Sequence, residues 1–190
     1  MRKKIITIAG VPGSGKSSTA DTVAKELGFT RFSSGDFMRK IAKDRGVTLN
    51  ELSAVAEQDG GDIDRAIDDE VRKTGRGEHI IIDSRLAFHW IPDSFKVFLD
   101  LPLEISKDRI LSNLETNTFR RESEGGGTAE EIYRKISARL ESEKKRYREL
   151  YAVDYTDPKN YDLVIDTNKN NLSEVVSIIV QAYTKWISEN

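Results

Sequence analysis

The run Gly10-Val11-Pro12-Gly13-Ser14-Gly15-Lys16-Ser17 satisfies the pattern GxxxxGK[ST] at every fixed position, and its flanks are the ones that pattern needs. Upstream, Lys4-Ile5-Ile6-Thr7-Ile8-Ala9 is a short, β-branched apolar run that reads as a buried strand. Downstream, the residues from Lys16 to Leu27 read as a helix. Glycines at 10, 13 and 15 let the backbone wrap closely around a polyphosphate, so that successive N–H groups and the helix N-terminus face the anion. In this setting Lys16 reaches the β and γ phosphates of a nucleotide such as ATP, the Ser17 hydroxyl ligates Mg²⁺, and Ser18 completes the binding run. A glycine-rich turn with an exposed lysine is the bland alternative. The strand and helix in register on either side argue against it.

The chain has 190 residues, 37% hydrophobic and 33% charged, which fits one globular domain and excludes a disordered or membrane-spanning chain. A net charge of −2 gives no general attraction to nucleic acid, so no nucleic-acid partner is expected and any basic site must be local. Cysteine is absent, which removes disulfides and thiolate metal sites and leaves only His79 and His89 as nitrogen ligands. A reducing, cytoplasmic setting is the simplest expectation, with the chain acting as a monomer. Met1-Arg2-Lys3-Lys4 precedes an apolar run too short for a signal peptide, and no stretch approaches the ~20 apolar residues of a membrane span.

Taken in order, Gly28 reads as a helix C-cap and Thr30-Arg31-Phe32-Ser33 as a second strand. A helix opens at Ser34-Gly35-Asp36, and another begins at Thr48, where Glu51 completes a capping box. Gly60-Gly61 breaks that helix, and a further one runs from Asp62 until Gly75 and Gly77 stop it. His79-Ile80-Ile81-Ile82-Asp83, Lys96-Val97-Phe98-Leu99-Asp100 and Leu163-Val164-Ile165-Asp166 are apolar runs that end in a carboxylate, as buried parallel strands do near a ligand. Between the last two lie a helix from about Pro102 to Leu114, a polar stretch through Gly125-Gly126-Gly127, and a long helix from about Thr128 to Leu150. The final helix is expected to be capped by Ser173. The fold class that follows is α/β, a doubly wound five-stranded parallel sheet of the P-loop type with a helical insertion and a lid. The core spans about 1–33, 76–112 and 151–190, the inserted helices about 34–75, and the lid with the long helix about 113–150.

A guanine-specific switch protein would show DxxG and NKxD. The corresponding stretches are Asp83-Ser84-Arg85-Leu86 and Asn168-Lys169-Asn170-Asn171, and both fail at the diagnostic position. A phosphotransferase remains, and it must bring two anionic phosphates into line, which takes arginines from several segments. Arg39, Arg85, Arg139 and Arg146 are candidates, and Arg139, Glu143 and Arg146 share one helix face. A solvated, salt-bridged helix face is the commoner meaning of such spacing. Arg120-Arg121, before the triple glycine, fits either a closing lid or a solvated loop.

The ordered set GVPGSGKSS, SSGDFMRKIAKDRG, IDRAID, IIIDSRLA, LDLPLE, ARLESEKKRYRELY and YDLVIDT resembles the nucleoside monophosphate kinases, most closely the compact archaeal-type cytidylate kinases, over essentially the whole chain. The resemblance implies phosphoryl transfer from ATP with Mg²⁺, bound by Ser17 and Asp83, to a nucleoside monophosphate such as CMP or dCMP. It also implies that Ser34 and Arg39 bind the acceptor, that Arg65 helps read the cytosine, and that Arg85 grips the acceptor phosphate. Arg139, Glu143 and Arg146 would hold ribose and phosphates, Arg109 would act as a donor-side lid arginine together with Arg120 and Arg121, and Asp166 and Thr167 would lie near the adenine. Lys16, Arg39, Arg85, Arg139 and Arg146 form the implied catalytic set. Bacterial relatives have glycine-arginine-aspartate where this chain has Ser84-Arg85-Leu86; the archaeal branch shares the leucine but has glycine before the arginine, and a glycine-tryptophan pair after the alanine where this chain has Ala87-Phe88-His89-Trp90, one residue longer. These departures leave AMP, UMP or a non-nucleotide acceptor as alternatives to CMP. A nucleotide-dependent regulatory protein is a more distant one.

Overall fold

The computed structural model describes residues 3–116 and 127–189. Five parallel strands form one sheet: β1 (Ile5–Gly10), β2 (Thr30–Ser33), β3 (Ile80–Asp83), β4 (Phe95–Asp100) and β5 (Leu163–Asp166), in the order β2-β3-β1-β4-β5. The helices are α1 (Lys16–Leu27), α2 (Ser34–Asp44), α3 (Leu49–Ala56), α4 (Asp62–Thr74), α5 (Ala87–Trp90), α6 (Leu103–Thr116), α7 (Ala129–Tyr151) and α8 (Leu172–Ser188). A 3₁₀ turn at Pro158–Asn160 precedes β5.

β1 is central because both of its faces are apolar. Ile6 and Ile8 pack with Val23, Ile81, Val97, Ile165, Val176 and Ile179 under α1 and α8. Ile5, one residue out of phase, joins Val71, Ile82, Ala87 and Ile91 under α4 and α5, and Ala9 joins Leu86, Phe98, Leu140 and Tyr155 under α7. The inserted helices carry a core of their own, made of Ala42, Leu49, Leu52, Ala56 and Ile63. Ile110 and Leu114 of α6 close a further cluster with Ile132 and Ile136 of α7.

Register brings the strand ends together. Ser33 pairs with Asp83, Ile8 with Asp83, Gly10 with Leu99, and Asp100 with Asp166, so the acids that end the apolar runs lie along one edge of the sheet. The connection from β1 runs to β2 on one side, and β4 lies on the other, which places the topological switch at the loop after β1.

Helix boundaries follow local chemistry. Gly28 caps α1 at φ 67°, and Thr48 with Glu51 forms the expected capping box on α3. Thr128 with Glu131 does the same for α7. The last helix departs from the sequence reading: its cap is Asn171, whose side chain accepts from the Glu174 N–H while Glu174 reaches back to the Asn171 N–H. Ser173 therefore lies inside the first turn. The sequence reading also passes over α5, the single helical turn formed by the lengthened stretch Ala87–Trp90.

Candidate active site

The loop after β1 takes its shape from two left-handed glycines, Gly13 at φ 76° and Gly15 at φ 83°. A Cβ on Gly13 would lie 2.9 Å from the Ser106 carbonyl oxygen, so α6 presses directly on the loop, and Ser106 Oγ donates to the Pro12 carbonyl at 2.6 Å. Ser14, 2% exposed, donates from Oγ to the Val11 carbonyl at 2.8 Å. Lys16 Nζ donates to the Gly10 and Val11 carbonyls, both at 2.9 Å, which holds the ammonium across the mouth of the loop. Ser17 Oγ donates to Asp83 Oδ2 at 2.9 Å, joining the first turn of α1 to the end of β3.

A cavity of about 610 Å³ opens from this loop toward the inserted helices and α7. Its floor is Pro12, Gly13, Gly15, Lys16, Ser17 and Ser18, and Gly10, Val11 and Ser14 form the loop behind. Six basic side chains (Lys16, Arg31, Arg39, Arg85, Arg109 and Arg139) and four carboxylates (Asp21, Asp36, Asp83 and Glu143) line it. The arginines arrive paired. Arg85 Nη1 lies 2.6 Å from Glu143 Oε2, with Glu143 only 2% exposed. Burial opposes the Arg85 charge, but Glu143 and the neighbouring Tyr155, Tyr147 and Asp83 outweigh it and hold the guanidinium firmly protonated. Arg39 is bound to Asp36 one turn earlier on α2. Arg139 approaches Asn50 Oδ1 on α3 at 3.5 Å. Ser34 Oγ donates to the Asp83 carbonyl at 3.4 Å.

Several expected site residues sit elsewhere. Arg65 is half exposed and pairs with Asp62 at 2.6 Å along its own helix, outside the cavity. The phase of α4 explains this: Asp64, Asp68 and Val71 face inward, which turns Arg65, Asp69 and Arg72 to the outside. Arg146 is 6% exposed and also lies off the cavity wall, with Nε donating to Asp64 Oδ2 at 2.6 Å and Nη1 bound to Ser142. Arg109 does reach the cavity, and its Nη2 donates to the Thr167 carbonyl at 2.8 Å. Asp166 and Thr167 close the end of β5 beyond the cavity rim, where Thr167 Oγ1 donates to the Asp100 carbonyl at 3.0 Å. Arg120 and Arg121 lie outside the described residues.

The sequence reading misses Arg31, Asp36 and Asp64. For Asp64 a signal exists: Asp64 and Asp68 are four apart and share the helix face that carries Val71, so two carboxylates are aimed at an apolar interior. Asp68 is 4% exposed, with Tyr151 and Trp90 as its polar neighbours. Its Oδ2, the Tyr151 hydroxyl and the Trp90 indole N–H are buried without closing a hydrogen bond of normal geometry. Burial pushes the Asp68 carboxyl up to about 6, against the partial relief of Tyr151 and Trp90. Because the folded value exceeds the unfolded one, the charged form destabilises the native state above pH 6, and the cost fades as pH falls toward 4. Asp68→Asn is therefore expected to stabilise the protein at pH 8 by up to ~3 kcal/mol and to flatten the gain in melting temperature between pH 8 and pH 5. Thermal melts of both proteins across that range check this, and parallel pH profiles would reject it.

The donor set suits Mg²⁺. Ser17 and Asp83 offer two hard oxygen ligands at the mouth of the loop, and among the described residues no group of three or more His, Cys, Asp or Glu forms a cage. An ion that keeps much of its water and takes further oxygens from phosphates needs no more protein than this.

Comparison with known proteins assigns the chain to a family. Residues 5–169 match the model of the cytidylate kinase-like family. A cytidylate kinase of Methanocella arvoryzae is 39% identical, covering 94% of this chain and 95% of that protein. One of Halobacterium salinarum is 36% identical, covering 97% and 92%. The chain also matches a part, 36%, of an S-adenosylmethionine-dependent nucleotide dehydratase of Lacinutrix mariniflava at 33% identity. Among solved structures, shikimate kinase from Acinetobacter baumannii superposes with a TM-score of 0.59 at 17% identity over 96% of this chain and 94% of that one, a likeness of fold alone. With a phosphate loop facing an arginine-lined wall, and with the family model matching along most of its length, the chain is a phosphotransferase that belongs to the cytidylate kinase-like family.

Proposed function

We propose that the protein transfers the γ-phosphoryl group of ATP to CMP or dCMP, giving ADP and the nucleoside diphosphate. The observation that carries this reading is the two-walled cavity: the loop with Lys16 and Ser17 on one side, and Arg39, Arg85 and Arg139 with Glu143 on the other. ATP lies along the loop, with its phosphates on the N–H groups around Gly13 and Gly15 and on Lys16, which moves from the Gly10 and Val11 carbonyls to the anion. Ser17 and Asp83 would hold Mg²⁺, which would supply charge neutralisation at the donor phosphates. The acceptor phosphate takes Arg85 from Glu143, which turns to the sugar, and meets Arg39 while Asp36 keeps its hold on that guanidinium. No strong general base is required, because the acceptor is already an anionic nucleophile. The rate comes from alignment and from arginine charge placed where the transition state needs it.

Leu86, at the position where bacterial relatives have an aspartate, is 2% exposed and packs in the core with Phe98 and Leu140, so it takes no part in reading the base. Base choice then falls to groups on the inserted helices and α7. The initial rate of ADP formation across CMP, dCMP, UMP, AMP and GMP, at fixed ATP and Mg²⁺, tests the reading. CMP and dCMP are expected to lead the panel. Preference for another monophosphate reassigns the acceptor, and a slow ATP turnover indifferent to every monophosphate overturns the kinase reading.

A further inference from the structure

Arg31, at the second position of β2, stands between the two halves of the cavity and belongs to neither. Its Nη2 donates to Asp83 Oδ2 at 3.1 Å, the same oxygen that accepts from Ser17 Oγ. Its Nη1 lies 3.2 Å from Asp36 Oδ2 and 3.3 Å from Asp21 Oδ1. Asp36 in turn holds the Arg39 guanidinium through its other oxygen, and its N–H is fixed by Ser33 Oγ at 3.2 Å. One guanidinium thus binds three carboxylates from α1, α2 and β3, and an unbroken chain of contacts runs Ser17, Asp83, Arg31, Asp36, Arg39. The Arg31 side chain is 19% exposed, and its Nε is buried without a hydrogen-bond partner, so the group is fixed by its η nitrogens alone. Burial works against its charge, and Asp83, Asp21 and Asp36 more than compensate, so it stays cationic throughout.

This arrangement differs from a surface ion pair in two ways. Asp83 is 5% exposed and is one of the two oxygen donors facing the metal position, so its orientation is set by the groups that hold Oδ2. Without Arg31, Asp21 and Asp83 would lose this cation and Asp36 would keep only Arg39, leaving a net anionic patch between two sites that must each receive phosphate, and like charges so placed repel both ligands.

We propose that Arg31 is a positioning residue that couples the two half-sites: it aims the Asp83 carboxylate at Ser17 on the donor side and, through Asp36, aims Arg39 at the acceptor phosphate. The inference rests on the functional reading above and adds a residue to it. Arg31 touches neither reacting phosphate. Its effect travels through the two aspartates, so both ligands should feel its loss even when each is bound alone.

Arg31→Met removes the charge while keeping length, and Arg31→Lys keeps the charge without the fork. Two binding measurements need no turnover: calorimetric titration of CMP in the absence of ATP and metal, and Mn²⁺ electron paramagnetic resonance with a non-hydrolysable ATP analogue. Arg31→Met is expected to weaken CMP binding by about tenfold and Mn²⁺–nucleotide binding severalfold, the loss of a charge-assisted contact acting at one remove. Arg31→Lys should recover part of each. In an Asp36→Ala background, Arg31→Met should no longer weaken CMP binding but should still weaken Mn²⁺–nucleotide binding. If Arg31→Met only lowers the melting temperature and leaves both dissociation constants at wild-type values, the residue is a structural salt bridge and the inference falls. Loss on one side alone also overturns the coupling. Wild-type protein that phosphorylates none of the monophosphate panel refutes the functional reading instead, a result visible before any variant is made.

Discussion

Lys16→Ala is expected to lower kcat/KM by at least ~10²-fold while leaving the melting temperature within a degree or two, since removal of one transition-state charge contact costs this much. The separation of the two effects follows from how the loop is built. Its shape is held by Gly13 against Ser106, by the Ser14 hydroxyl on the Val11 carbonyl and by the Ser106 hydroxyl on the Pro12 carbonyl. None of these contacts involves Lys16. The ammonium rests on the Gly10 and Val11 carbonyls, which an incoming water satisfies when it is gone. Steady-state rates with the preferred acceptor, together with a thermal melt, check both halves. Near-normal turnover removes Lys16 from the reaction, and a large fall in melting temperature shows that the lysine braces the loop instead.

Glu143→Gln is expected to act on both stability and acceptor use. Glu143 is 2% exposed and neutralises Arg85, which is itself only a quarter exposed, so the amide leaves a cation in a poorly solvated place. Breaking such a pair costs about 3 kcal/mol, toward the lower end for buried pairs because Arg85 keeps some contact with the cavity. The KM for the acceptor should rise, and the KM for ATP should stay near wild type, because Glu143 lies on the wall away from the loop. Denaturant titration and initial rates at varied CMP and varied ATP measure the two parts. An effect confined to ATP places α7 on the wrong ligand, and unchanged stability shows that Arg85 finds solvent without its partner.

The phosphate loop was legible in the sequence because it is local. Strand, glycine loop and helix lie within the first 27 residues, and the bonds that shape the loop, Ser106 apart, stay inside it. Caps were legible for the same reason: Thr48 and Glu51, or Thr128 and Glu131, make their contacts three residues apart. Asn171 has the same spacing to Glu174, but Ser173 beside it is an equally good capping residue by type, and only the backbone tells the two apart. α5 escaped because one helical turn carries no period. The arginine-lined wall was legible as a collection of arginines and not as an arrangement. Arg31 meets Asp83, Arg85 meets Glu143 and Arg146 meets Asp64 across 52, 58 and 82 residues of chain, and nothing in a periodicity tells which arginine finds which acid. Arg65 and Asp64 are adjacent in sequence, yet the turn of α4 sends one to solvent and the other to the interior.

On the proposed reading, the pairing of Arg85 with Glu143 would make the acceptor wall an exchange site rather than an open trap for anions. A ligand would then enter by displacing a carboxylate that is already in place, so a small anion such as inorganic phosphate would gain little from entering. A monophosphate that also brings a sugar and a base supplies the extra contacts that tip the exchange. Selectivity against small anions would therefore begin with the pair of Arg85 and Glu143, before any contact to the base is made.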